Sequence, residues 1–179
     1  MRILMLLANG FEDTEALATR DVLIRAGLDV KTVSLNECLE VQTSFGLIIK
    51  ADLFAEEVTT NFDAIILPGG KRGVDNLSNS LLVTQLIKHA FENKKLIAAI
   101  CAAPSILARY GYLKDYHYTC YKGFEEYYPQ TYIDEPLVVD KNIITARSMY
   151  YSQDFALAII EYLLGKEKRA SIEAQIKSI

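Results

Sequence analysis

IAAICAAPSI, residues 97–106, passes from a wholly apolar run through one cysteine into a proline and a serine. The apolar half, Leu96–Ile100, has the length and continuity of a strand buried on both faces. Pro104 suits the first turn of a helix, where its missing N–H is no loss. Cys101 therefore falls in a sharp strand-to-helix turn. Backbone strain in such a turn pushes the side chain outward, the logic of a nucleophile elbow. Alanines at 99, 102 and 103 leave room for neighbouring backbone. The helix start adds free N–H groups and a partial positive charge, which favour a thiolate. In mid-strand the same cysteine would be only a small hydrophobe.

Outward from this turn, apolar runs alternate with helical patterns along the chain. Arg2–Ala8 is a short buried strand. Glu12–Ala26 is a helix with acids in its first turn, Leu17 and Ile24 sharing a face, and Gly27 at its end. Strands are expected at Asp29–Leu35, at Gly46–Ala51 in a hairpin or edge arm, and at Ala64–Leu67. A helix over Leu81–Asn93, capped by Ser80, precedes the Leu96–Ile100 strand. Pro104–Tyr110 is a helix closed by Gly111, followed by a hairpin over Leu137–Val139 and Ile143–Ala146. A helix over Gln153–Leu164 stops at Gly165, and a shorter one ends the chain. With no linker and no repeat, one domain is expected over residues 1–179. The alternation predicts a mostly parallel α/β sheet covered on both faces. Ligands in such folds bind beyond the carboxyl ends of the strands, where Cys101 stands.

Apolar residues make up 51% and charged residues 23% of the chain, an ordinary globular balance. A net charge of −4, with no Lys/Arg run longer than two, argues against a nucleic-acid surface. The run Ile3–Ala8 is too short for a signal-peptide core, and no segment reaches spanning length. A cytoplasmic protein without membrane contact is expected. Cys38, Cys101 and Cys120 are odd in number and widely spaced, which fits neither a disulfide framework nor a CxxC pair. His89 and His117 lack ligand spacing, so no metal site is expected.

Two further stretches end strands on the same side. "ILPGG", Ile66–Gly70, has two glycines that can turn N–H groups towards an anion, although Pro-Gly-Gly is also an ordinary turn. "NGFEDTEA", Asn9–Ala16, puts three acids at a helix start. Glu12 and Asp13 fit simple complements of the helix dipole, and Glu15 differs by what it faces. His117, between Tyr116 and Tyr118, fits a surface loop. Eight of the eleven tyrosines fall between Tyr110 and Tyr132, which suits a half-buried excursion packed on a sheet edge. Cys38 has no evident role in this pattern.

"LANGFEDTEALATRDVLIRAG", "AIILPGG", "LIAAICAAPSILA" and the later "DFALAIIEYLLGKEKRA" together resemble the ThiJ/PfpI family. Within it they are most similar to the subgroup of the Parkinson-disease-associated protein deglycase and its bacterial relatives. The resemblance covers nearly the whole chain. It implies a flavodoxin-like three-layer sandwich of the class I glutamine amidotransferase kind, a homodimer, and no cofactor. It makes Cys101 the nucleophile and Glu15 the carboxyl that hydrogen-bonds its sulfur. It assigns the turn Gly69-Gly70 and the N–H of Ala102 to the oxyanion site. Three positions depart from the subgroup pattern: Phe45 replaces a hairpin arginine, Thr119-Cys120-Tyr121 replaces a histidine region, and Arg147 is followed by Ser148-Met149-Tyr150 in place of Gly-Pro-Gly. Phe45, Tyr121 and Arg147 are thus candidate pocket residues, and Cys120 lies near them.

The function implied is a cofactor-free, cysteine-dependent enzyme acting on small reactive carbonyls, a glyoxalase or a deglycase. An oxidative-stress sensor built on an oxidisable cysteine is the alternative. A cysteine amidase or peptidase is disfavoured, because Ala102 stands where the protease-like branch has a histidine and a Cys–His pair needs a base in reach. No phosphate-binding motif supports thiazole phosphate chemistry.

Overall fold

The computed structural model describes residues 1–178; the last residue of the expected 1–179 domain lies outside them. The elements run β1 (Arg2–Leu7), α1 (Asp13–Arg25), β2 (Asp29–Ser34), β3 (Glu40–Gln42), β4 (Ile48–Lys50), β5 (Leu53–Phe54) and β6 (Ala64–Leu67). Then come α2 (Lys71–Ser78), α3 (Leu81–Glu92), β7 (Leu96–Ile100), α4 (Pro104–Arg109), β8 (Leu137–Asp140), β9 (Ile143–Ala146), α5 (Ser152–Leu164) and α6 (Lys166–Lys177). Seven strands form one sheet in the order β5-β2-β1-β6-β7-β9-β8, parallel except for the β8–β9 hairpin. β3 and β4 make a separate antiparallel hairpin.

The central strands are apolar at every position because both sheet faces are covered. Along β1, Ile3, Met5 and Leu7 pack into one core, and Leu4 and Leu6 into the other. In β7, Leu96, Ala98 and Ile100 go to the first core, Ile97 and Ala99 to the second. This is the two-residue alternation of a pleated strand. Helices α1, α5 and α6 supply the first core, and α2, α3 and α4 the second. The result is the flavodoxin-like three-layer sandwich.

The structure refines one local reading, bears out a second and adds an element. Leu17 and Ile24 of α1 do share a face, but it is the outer one: they are 36% and 42% exposed. The helix buries Glu15, Ala16, Thr19, Val22 and Leu23 instead, because the side turned to the sheet must also hold Glu15 against the cysteine turn. The arm expected at Gly46–Ala51 is the second half of the β3–β4 hairpin, whose first strand is too short to leave a sequence pattern. Helix α2 was not foreseen. Its sequence, KRGVDNLS, holds a glycine and four weak helix formers, Val74, Asp75, Asn76 and Ser78. It forms by docking: Gly73 N–H donates to the Gly10 carbonyl at 3.0 Å, and Val74 and Leu77 are buried. A Cβ on Gly73 would lie 2.7 Å from the Phe11 backbone, so only glycine allows this approach.

Candidate active site

Cys101 leaves β7 with φ +63°, in the left-handed region that disfavours a side chain. Two backbone hydrogen bonds hold it there. Its N–H donates to the Ala146 carbonyl at the end of β9 (2.8 Å), and its carbonyl accepts from Tyr121 N–H (2.7 Å). Pro104 opens α4 directly behind. The strained elbow expected from the sequence is therefore present, and the tyrosine-rich excursion is anchored to it.

Glu15 arrives from α1 and is 1% exposed. Its Oε2 accepts from Gly69 N–H at 2.7 Å. Its Oε1 is buried without a hydrogen-bond partner of ordinary geometry, and the carboxyl lies against the Cys101 thiol. Gly69 cannot be another residue here: a Cβ would meet Glu15 Oε2 at 2.5 Å and Cys101 Cβ at 2.7 Å. Its N–H is occupied by the carboxylate, so Gly69 holds the acid rather than an oxyanion, a correction to its expected role. The N–H groups of Gly70 and Ala102 lie close enough to the sulfur to favour its charged form. Gly70, at φ +86°, has the Gly10 carbonyl 2.4 Å from where its Cβ would stand.

The two acids share an environment that resists charge. Burial raises the Glu15 pKa to about 7, against the lowering effect of its bonds to Cys101 and Gly69. Burial also raises the Cys101 thiol, and the nearby Glu15 charge raises it further; the Ala102 and Gly70 N–H groups work the other way. This corrects the expectation of a simply acidic cysteine, because desolvation outweighs the helix terminus. Glu15's contribution to that rise exists only while Glu15 is ionised. Once Glu15 takes the proton, the same carboxyl becomes a donor to sulfur. As pH rises through about 7 the pair goes from two protons to one, and the proton that remains can pass between oxygen and sulfur.

A cavity of about 430 Å3 opens on this pair. Glu12, Glu15, Gly70, Lys71, Cys101 and Ala102 line its inner side. Phe45 of the β3–β4 turn, Ser44, Tyr121, Phe124, Ser148 and Met149 make the outer wall. Phe45 and Tyr121 are thus placed as expected, at 80% and 50% exposure. Arg147 is not. The Ala146 carbonyl is turned to Cys101, so the next side chain points away; it pairs with Asp134 and borders a separate pocket with Lys122, Glu125 and Tyr132. Lys71 and Glu12 were missed as lining residues, since α2 was not foreseen and Glu12 reads as a dipole charge. Cys120 is fully buried, its thiol pushed up to about 12 chiefly by burial. Cys38 is exposed beside the hairpin, and His117 is an exposed residue 3.5 Å from Asp140. Among the described residues no cluster of His, Cys, Asp or Glu could hold a metal ion, and no helix is long and apolar enough to cross a membrane.

Residues 1–162 match the model of the DJ-1/PfpI family. The chain belongs to the DJ-1/PfpI family. It is 38% identical over 172 residues to Protein dj-1beta of Drosophila melanogaster, covering 92% of this chain and 90% of that one. It is 30% identical over 174 residues to the glutathione-independent glyoxalase DJR-1.2 of Caenorhabditis elegans, covering 95% and 92%. Among solved structures, oxidized Toxoplasma gondii DJ-1 superposes with a TM-score of 0.94 at 31% identity, over 98% of this chain and 97% of that one. The DJ-1/PfpI fold thus extends across the described chain, with the cysteine turn, the Pro-Gly-Gly turn and Glu15 converging at the carboxyl ends of three strands.

Proposed function

We propose that this protein converts small reactive dicarbonyls to hydroxy acids without a cofactor, with Cys101 as nucleophile and Glu15 as proton carrier. One observation carries the reading: a buried carboxyl oxygen with no other partner lies against a strained cysteine that faces an open cavity. With methylglyoxal, the Cys101 sulfur bonds to the aldehyde carbon and the new alkoxide takes a proton from Glu15. The N–H groups of Gly70 and Ala102 stabilise that oxygen as charge develops. Glu15 then removes the hydrogen of the same carbon as a proton, forming an enediol. Reprotonation at the neighbouring carbon leaves a lactoyl thioester on Cys101. Water cleaves it to lactate and restores the thiol. The sum is methylglyoxal plus water to lactate, with oxidation at one carbon balanced by reduction at the next, so no external electron carrier is required. A carboxyl poised near pH 7 suits both halves of this proton traffic. The glyoxalase name of the nematode relative supports this chemistry. Deglycation of early adducts begins with the same attack.

Following lactate from methylglyoxal, with Cys101→Ala as control, tests the proposal: Cys101-dependent lactate is expected, and none from the unaltered protein refutes it. The oxidized Toxoplasma relative favours a second reading, in which Cys101 is an oxidisable sensor held by the same groups. Peroxide modification of Cys101 without turnover is its signature.

A further inference from the structure

A three-carbon dicarbonyl fills only a small part of a cavity of about 430 Å3. Cavities of roughly 300–1,000 Å3 enclose much larger ligands. The charges along its walls are few. Glu12 and Glu15 come from the α1 side, Lys71 from the first position of α2, and the wall of Phe45, Tyr121, Phe124 and Met149 carries none. Glu15 is engaged by Gly69 and Cys101. Burial, the bond to Asp13 and the Asp13 charge push the Glu12 pKa up from its ordinary value. Lys71 is the cation of this set. It is exposed, and among the described residues it makes no ion pair.

We propose that Lys71 selects substrates carrying an anionic group: 2-oxoaldehydes larger than methylglyoxal, with a carboxylate or phosphate on the side away from Cys101. The apolar wall accommodates the body of such a molecule, and the ammonium meets its charge while the aldehyde reaches sulfur. This rests on the carbonyl chemistry assigned to Cys101, but it is testable apart from turnover.

The test compares alkylation of Cys101 by iodoacetate and by iodoacetamide, which differ in charge and little in size. The ratio of the two rate constants cancels any change in thiolate content. Lys71→Gln should lower the ratio about three- to tenfold, the range expected for one charge at contact distance in a partly solvated cavity. Lys71→Arg should keep it, and Glu12→Gln should raise it. Raising salt from about 0.01 M to about 1 M, which shortens the screening length about tenfold, should erase the difference between the unaltered protein and Lys71→Gln. An unchanged ratio in Lys71→Gln overturns the proposal, as does a fall of equal size in Lys71→Arg. Lactate formation from methylglyoxal, measured alongside, reports on the carbonyl reaction separately.

Discussion

A thiol and a carboxyl with one proton between them make the nucleophile of this site dependent on where that proton rests. At about pH 6.5, just below the Glu15 value, Glu15 is mostly protonated, so its charge no longer raises the thiol, while the elbow N–H groups still favour the thiolate. Brief iodoacetamide treatment at that pH should label Cys101 faster than Cys38, which is exposed but lacks such donors, and faster than buried Cys120. Mass spectrometry of the peptides checks it; preferential labelling of Cys38 would remove the elbow from the mechanism. The backbone at Cys101 makes a second prediction. A left-handed conformation costs a non-glycine residue roughly 1–2 kcal/mol. Cys101→Gly should therefore be more stable to urea than Cys101→Ala by about 1 kcal/mol, since both lose the sulfur and only one keeps the strain.

At the scale of elements, the site depends on how closely α2 approaches the β1–α1 turn. The contact runs through Gly70 and Gly73, which lie against Gly10, Phe11 and Glu12. A Gly73→Ala change puts a methyl 2.7 Å from Phe11 backbone, which cannot move aside as a side chain can. A loss of about 1–3 kcal/mol is expected from overpacking. Because α2 follows Gly70, reactivity of Cys101 towards iodoacetamide should fall along with stability. Stability lost with Cys101 reactivity intact would mean that α2 does not set the position of the Gly70 N–H.

For the whole molecule, burial of Glu15 writes a pH dependence into stability. Its pKa is about 7 in the fold against an ordinary 4.5. Below the lower value it is protonated in both states and costs nothing. As pH rises through about 7 the folded chain must ionise a buried acid, so stability is lost across that window, by up to about 3 kcal/mol. Glu15→Gln removes this dependence. Urea unfolding at several pH values should show the variant gaining on the unaltered protein between about pH 4.5 and about pH 7; parallel curves would contradict the buried acid. Association is the second expectation at this scale. The β3–β4 turn exposes Phe45 (80%), Leu47 (51%) and Ile48 (59%), more apolar surface than a free hairpin favours. A homodimer using this hairpin should appear by light scattering at micromolar concentration, and Phe45→Ser together with Ile48→Ser should weaken it. A monomer in the unaltered protein counts against it.

The chain's local pattern determined most of the architecture. Continuous apolar runs at residues 3–7, 64–67 and 96–100 can be stable only inside a sheet covered on both faces. Gly27, Pro104, Gly111 and Gly165 mark the helix ends by backbone chemistry that needs no tertiary context. The position of Cys101 at a strand's end was legible for the same reason, and the ordered motifs placed Glu15 and the Pro-Gly-Gly turn beside it. Tertiary structure alone decided the rest. Helix α2 exists because Gly73 docks on a turn some sixty residues earlier in the chain. Arg147 leaves the cavity because the preceding carbonyl is claimed by Cys101. The thiol is raised rather than lowered because desolvation depends on everything packed around it, and burial is a property of the assembled fold, not of neighbours in sequence.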